Sequence, residues 1–177
     1  MLEHIVLGIV YDKPHTGYEI KKEIESTIGI IYRASYGSLY PLLKRLSEKK
    51  LIKEVVSHNS DTTARVKRYY QITASGKTYF HSWLVEPMSF TDTMENQLGK
   101  IFFFSKLTKQ ERLKQFKSYE ESLEQFKAKL NEMHATCMAK PESEHDYYHG
   151  AIMYYGQMLV GNLEHWCEAV KMEKELN

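Results

Sequence analysis

Cysteine, proline and net charge are all scarce in this 177-residue chain, and each shortage narrows what it can be. The only two cysteines, Cys137 and Cys167, lie far apart in sequence, so neither a disulfide framework nor a cysteine-built zinc cluster is expected. Long apolar runs are missing as well. The stretch Ile5–Val10 is far too short to cross a membrane. The start MLEHIVLGIVYDKP also lacks a basic n-region and a small-residue cleavage site, so a cytoplasmic protein with no membrane role is expected. A net charge of +1 argues against a uniformly basic nucleic-acid binder. The halves differ, however: residues 1–90 hold 13 Lys and Arg against 9 Asp and Glu, whereas residues 91–177 hold 11 against 14. A modestly basic N-terminal half is joined to an acidic C-terminal one, which fits a DNA-facing module carried by something else. No Ser/His/Asp spacing, phosphate loop or paired carboxylates stand out, so neither an enzyme nor a cofactor is expected.

What the chain does have is patterned. In SYGSLYPLLKRLSEKK, Leu39, Leu42, Leu43 and Leu46 fall three and four residues apart, on one face of a helix. The other face carries Ser38, Tyr40, Lys44, Arg45 and Glu48, and its start is rich in hydroxyls: Ser35, Tyr36, Ser38 and Tyr40. A short helix that is apolar behind and hydroxyl-plus-cation in front suits a major groove. The plainer alternative is an ordinary amphipathic surface helix. Pro41 falls past the first turn if Ser35 caps the helix and within it if Ser38 does.

The flanking chain supplies context. Leu2, Ile5, Val6, Ile9 and Val10 space a first helix over residues 2–11, stopped at Pro14. Thr16 and Glu19 have capping-box spacing for a second helix through residue 28, ended by Gly29. After the third helix, Ile52–Ser57 and Arg65–Ile72 read as strands around the polar turn 58–64. Three helices followed by a hairpin that carries Arg65, Lys67 and Arg68 make a winged helix, its cations suited to phosphate or minor-groove contact. A solvated strand edge protected by charge is the alternative for those three residues. Thr73 caps a fourth helix, Ala74–Val85, closed by Pro87; residues 86–92 read as a hinge and Thr93–Ser105 as a further helix.

Two long helices follow. From Thr108, the residues Leu113, Phe116, Tyr119, Leu123, Phe126, Leu130, Met133 and Cys137 step by threes and fours, a coiled-coil-like seam. After the break at Lys140 and Pro141, the stretch Glu142–Leu176 carries the stripe Tyr148, Ile152, Tyr155, Leu159, Leu163, Trp166 and Val170. Each is more apolar than a two-helix hairpin can bury, which predicts a second copy and hence a homodimer. The fold class expected is therefore mainly α with a small β-hairpin wing. A winged helix-turn-helix domain spans residues 1–87, and a long-helix dimerisation and effector domain spans 88–177.

The blocks PHTGYEI (Pro14–Ile20), SYGSLYPLLKRLSEKKLI (Ser35–Ile52) and RVKRYYQITASGK (Arg65–Lys77) resemble, in order and spacing, the signature blocks of PadR-type transcriptional regulators. The C-terminal half is similar by layout to the longer subfamily, whose helical dimerisation domain is related to that of virulence-gene activators. Lys50 stands where the family has glycine, and Gln71 is unusual for the wing strand. The resemblance implies a dimeric winged-helix repressor released by a small molecule or another signal. It places Ser35, Tyr36, Ser38, Tyr40 and Lys44 in the major groove of a double-stranded operator and Arg65, Lys67 and Arg68 on the wing. Trp83, Phe90, Tyr119, Tyr154, Tyr155 and Trp166 could line a pocket for a flat aromatic effector, or be plain core. His145 and His149 share a helical face, but a solvated or core role outweighs a metal site. A winged helix that binds a protein partner instead of DNA is the competing function.

Overall fold

A computed structural model describes residues 1–57, 67–138 and 144–173. The expected turn at 58–64, Arg65 and the break at Lys140 and Pro141 lie outside the described residues. The chain forms two compact units: Met1–Glu86 with Thr93–Thr108, and Pro87–Asp92 with Lys109–Asn177. Residues 93–108 follow the hinge expected at 86–92 but pack within the first unit. These residues join the first unit because the Phe103 ring lies against Gly8, where an added Cβ would meet it at 2.4 Å, and edge-on to Phe80 at 5.4 Å.

The first unit begins with α1 (Leu2–Ile9), which buries Ile5, Val6 and Leu7. A two-residue strand, β1 (His15–Thr16), leads into α2 (Gly17–Glu23), whose last turns continue as a π-helix over Ile24–Ile28. The capping box forms: the Glu19 amide donates to the Thr16 hydroxyl at 3.2 Å and the Thr16 amide to the Glu19 carboxylate at 2.7 Å. Helix α3 (Tyr36–Glu48) follows, then β2 (Ile52–Ser57) and β3 (Lys67–Ile72), paired antiparallel from Ile52 opposite Ile72 to Ser57 opposite Lys67. β1 adds to the far side of β3, so the sheet runs β1-β3-β2. The unit closes with α4 (Ala74–Val85) and α5 (Met94–Phe102), α5 ending before the expected Ser105 in a 3-10 turn.

Ser35 caps α3, so Pro41 sits beyond the first turn and the carbonyl of Gly37 receives no helical N–H. The far end of α3 is a Schellman turn. The Lys50 amide donates to the Ser47 carbonyl at 2.9 Å and the Leu51 amide to the Leu46 carbonyl at 2.9 Å. Lys50, with φ of 58°, occupies the left-handed position that glycine favours. Its carbonyl accepts from the Thr73 hydroxyl at 2.7 Å and the Ser75 hydroxyl at 2.9 Å. Gly76 packs so closely on this corner that a Cβ there would lie 2.0 Å from the Leu51 carbonyl oxygen.

In the second unit, α6 (Lys109–Met138) and α7 (Glu144–Lys171) run antiparallel. Ion pairs Glu120–Lys171 and Lys127–Glu164, each at 2.7 Å, mark the register. Leu123, Leu130, Met153 and Val160 form the core between them. On α6 the expected stripe is buried at Phe116, Tyr119, Leu123 and Leu130, while Leu113 and Met133 are exposed. On α7 the expected stripe is corrected. The buried side runs Met153, Gly156, Val160, Cys167, while Tyr148, Ile152 and Tyr155 are exposed. Apolar residues occupy more than one face of this helix, and α6 takes the face with the smallest obstacle. A Cβ at Gly156 would come within 2.9 Å of both Leu130 methyl groups. No helix among the described residues is long and apolar enough to cross a membrane.

Relieving the strain at the α3 corner should stabilise the protein. Lys50→Gly is expected to raise unfolding stability by about 0.5–1 kcal/mol, a left-handed lysine being traded for a more flexible residue. Gly76→Ala should lower it by roughly 1–3 kcal/mol through overpacking against backbone. Chemical denaturation checks both, and a neutral or destabilising Lys50→Gly would show that the corner is unstrained.

Candidate nucleic-acid interface

The surface of α3 is divided by its period. Leu39, Leu42, Leu43 and Leu46 are buried. Two exposed rows flank them: Tyr36, Tyr40, Lys44 and Glu48 on one line, Ser38, Pro41, Arg45 and Lys49 on the next. All five expected groove residues, Ser35, Tyr36, Ser38, Tyr40 and Lys44, are exposed. The two serines are engaged locally. The Ser38 amide donates to the Ser35 hydroxyl at 3.2 Å, and the Ser38 hydroxyl donates to the Ser35 carbonyl at 2.9 Å. Their oxygens retain lone pairs for a partner's donors.

The tyrosines are held in place by α2. Their rings stack at 6.0 Å and 20°. The Lys21 ammonium, paired with Glu25, sits 4.7 Å above the Tyr36 ring. The Tyr40 ring rests on Gly17, where a Cβ would lie 2.9 Å from it. Lys21 and Gly17 were not singled out from sequence, because the contact joins segments that only the fold brings together. Lys44 faces Glu48 at a loose 3.9 Å. On the hairpin, Lys67 and Arg68 are exposed, with Arg68 3.4 Å from Glu54 on the neighbouring strand. Arg65 lies outside the described residues.

The aromatic residues considered for a pocket do not all meet. In the second unit Phe90 lies 6.3 Å from Tyr119 and 4.8 Å from Phe126, and Trp166 lies 6.4 Å from Tyr119 and from Phe116. The Phe90 amide donates to the Ser122 hydroxyl at 2.7 Å, fixing the segment 87–92 on α6. Burial pushes the Tyr119 hydroxyl up to about 12 and the neighbouring Cys167 thiol up to about 11. Tyr154 and Tyr155 stand outside this group, 63% and 68% exposed. Trp83 belongs to the first unit, where its indole N–H donates to Asn96 at 3.2 Å and its ring stacks on His4 at 4.4 Å. Among the described residues, no cluster of three His, Cys, Asp or Glu side chains could hold a metal ion. His149 is exposed, and the side chain of His145 is outside the described set.

A three-helix unit, a hairpin returning beside it, and a third helix with one buried and two exposed rows define a winged helix-turn-helix module. Residues 6–82 match the transcriptional regulator PadR-like family. The chain is 26% identical over 178 aligned residues to the negative transcriptional regulator PadR of Bacillus subtilis (strain 168), covering 96% of this chain and 95% of that one. It is also similar to crystal structures of Bacillus subtilis PadR. One, in complex with operator DNA, is 25% identical with a TM-score of 0.48 and covers 97% of this chain and 98% of that one. The other, in complex with p-coumaric acid, is 27% identical with a TM-score of 0.43 and covers 97% of both.

The imidazole under Trp83 gives a pH dependence. Burial, aided by nearby positive charge, lowers His4 to about 4. The folded state therefore disfavours its charged form. The stability that follows is full above the unfolded value near 6.5 and is lost as pH falls toward 4. Urea midpoints measured from pH 7 to 4.5 should fall more steeply for wild type than for His4→Phe, which keeps a ring but cannot titrate. Parallel profiles would contradict this.

Proposed function

We propose that this chain is a homodimeric, sequence-specific DNA-binding repressor of transcription, acting in the cytoplasm and released by a small aromatic molecule. The observation that carries the reading is the division of α3: a leucine row locked into the core, and an outward row of Tyr36, Tyr40 and Lys44 begun by the Ser35 and Ser38 hydroxyls. Those side chains offer apolar ring edges, hydroxyls that donate or accept, and one cation, a set suited to base edges and flanking phosphates. Arg65, Lys67 and Arg68 would take phosphate or minor-groove contacts from the hairpin. Similarity to a negative regulator along nearly the whole chain supports repression rather than activation.

In this reading residues 1–87 bind DNA, and 88–177 carry dimerisation and the effector. The dimer is supported by the apolar surface that α7 leaves uncovered, including Tyr148, Ile152, Tyr155 and Met158. Two protomers would read half-sites about one helical turn apart. The aromatic group of Phe90, Tyr119 and Trp166 supports a flat ligand within the second unit.

The test is retention of the duplex upstream of the chain's own gene against a scrambled duplex, at two salt concentrations. Wild type should prefer the upstream duplex and bind it as two protomers. Lys44→Ala should weaken binding about tenfold or more. Lys67→Ala should weaken both duplexes and flatten the salt slope by about one unit. Equal retention of both duplexes by wild type, or none, would favour a winged helix turned to protein contacts.

A further inference from the structure

The second exposed row of α3 ends in two cations, and neither is left to solvent alone. Arg45 Nη2 lies 3.7 Å from one carboxylate oxygen of Glu3 on α1, and Lys49 Nζ lies 3.5 Å from the other. The exposures are unequal: 59% for the Arg45 side chain and 48% for Lys49, but 14% for Glu3. The carboxylate is the shielded partner of this trio. Burial alone would raise its pKa. The Tyr79 hydroxyl, which donates to it, and the Lys49 ammonium overcome that and hold Glu3 below the ordinary carboxylate range. Glu3 is thus a fixed anion, anchored by α4 and presented to the basic end of the reading helix.

Non-specific attraction to DNA counts cations almost regardless of where they sit, because any phosphate will serve. Specific binding is different: the register of α3 in the groove decides which side chains reach the duplex. Arg45 and Lys49 lie on the row beside that of Tyr40 and Lys44, and both are tied back toward α1.

We propose that Glu3 is a specificity-determining residue: by occupying Arg45 and Lys49 it withholds two cations from sequence-independent phosphate contact, and so lowers affinity for non-operator DNA more than for the operator. The proposal rests on the DNA-binding reading above. Because Glu3 acts through Arg45 and Lys49, it is a positioning residue and need not touch DNA. Such pairs between exposed cations and a carboxylate are readily exchanged for phosphate, so Glu3 tunes affinity without blocking the helix.

The experiment compares wild type, Glu3→Gln and the triple variant Glu3→Gln/Arg45→Gln/Lys49→Gln on the operator and on a scrambled duplex across a salt series. Gln keeps an acceptor for Tyr79. Glu3→Gln should bind the scrambled duplex about threefold to tenfold more tightly at low salt, with the salt slope steeper by about one to two units. Its operator affinity should change by less than about twofold, so the specificity ratio falls. The triple variant should return the scrambled-duplex affinity and slope to near wild type. An unchanged slope in Glu3→Gln, with or without a lower melting temperature, overturns the proposal and leaves Glu3 a structural tie between α1 and α3. Equal tightening on both duplexes overturns it too. Failure of wild type to prefer the operator would instead sink the DNA-binding reading, so the two failures are distinguishable.

Discussion

The corner at Lys50 and Leu51 is the constraint on which the first unit depends. There α3 ends, β2 begins and α4 is docked, all through two adjacent carbonyls. The Lys50 carbonyl takes the Thr73 and Ser75 hydroxyls; the Leu51 carbonyl takes the Thr73 amide at 3.0 Å and lies directly against Gly76. Because Thr73 directly follows Ile72, the last residue of the return strand, the same corner fixes where the hairpin stands relative to α3. The Ile72 amide also reaches the Val10 carbonyl at the end of α1, at 3.4 Å. Orientation of the reading helix is thereby set by backbone and short hydroxyl side chains, which have little freedom to drift. Glycine is not required at position 50 for this geometry; lysine adopts it at a cost in strain.

Among the described residues, several cations exposed on α3 and the hairpin face a carboxylate. Lys44 faces Glu48, Arg68 faces Glu54, and Arg45 and Lys49 share Glu3. The cations of these pairs are exposed, so each carboxylate weakens its cation's attraction to phosphate without abolishing it. Together they explain how a chain of net charge +1 can present a nucleic-acid surface without a strongly basic patch. In the proposed reading, recognition leans on the stacked Tyr36 and Tyr40 and on the hydroxyls at the helix start, which can donate to or accept from base edges.

Much of this was legible in the sequence where the cause is local. Thr16 with Glu19, and Thr73 before Gly76, announce two helix starts, and the leucine spacing of α3 announces which rows face outward, while the choice of Ser35 over Ser38 as its cap came from the structure. The two hairpin strands follow from the β-branched run Ile52–Ser57 and the return run that ends at Ile72. What escaped was decided by distant partners. β1 is two residues long and exists because Tyr69 and Tyr70 offer an edge to His15 and Thr16. The π-helical end of α2 leaves no periodic signature over five residues. Period alone could not choose the buried side of α7, since apolar side chains surround it and only the contact of Leu130 with Gly156 settles the matter. In the candidate site, exposure of Tyr36, Tyr40 and Lys44 was readable, whereas Lys21 above Tyr36 and Glu3 beside Arg45 join residues far apart in sequence.

Whether the Tyr36–Tyr40–Lys44 row reads DNA is decided by a crystal structure of the full chain with the duplex it retains from upstream of its own gene. In that complex α3 should lie in the major groove of each half-site. The two tyrosine rings should lie against base edges and Lys44 within reach of a base or the adjoining phosphate. A complex in which α3 faces solvent while DNA is held by another surface would contradict that role for the row.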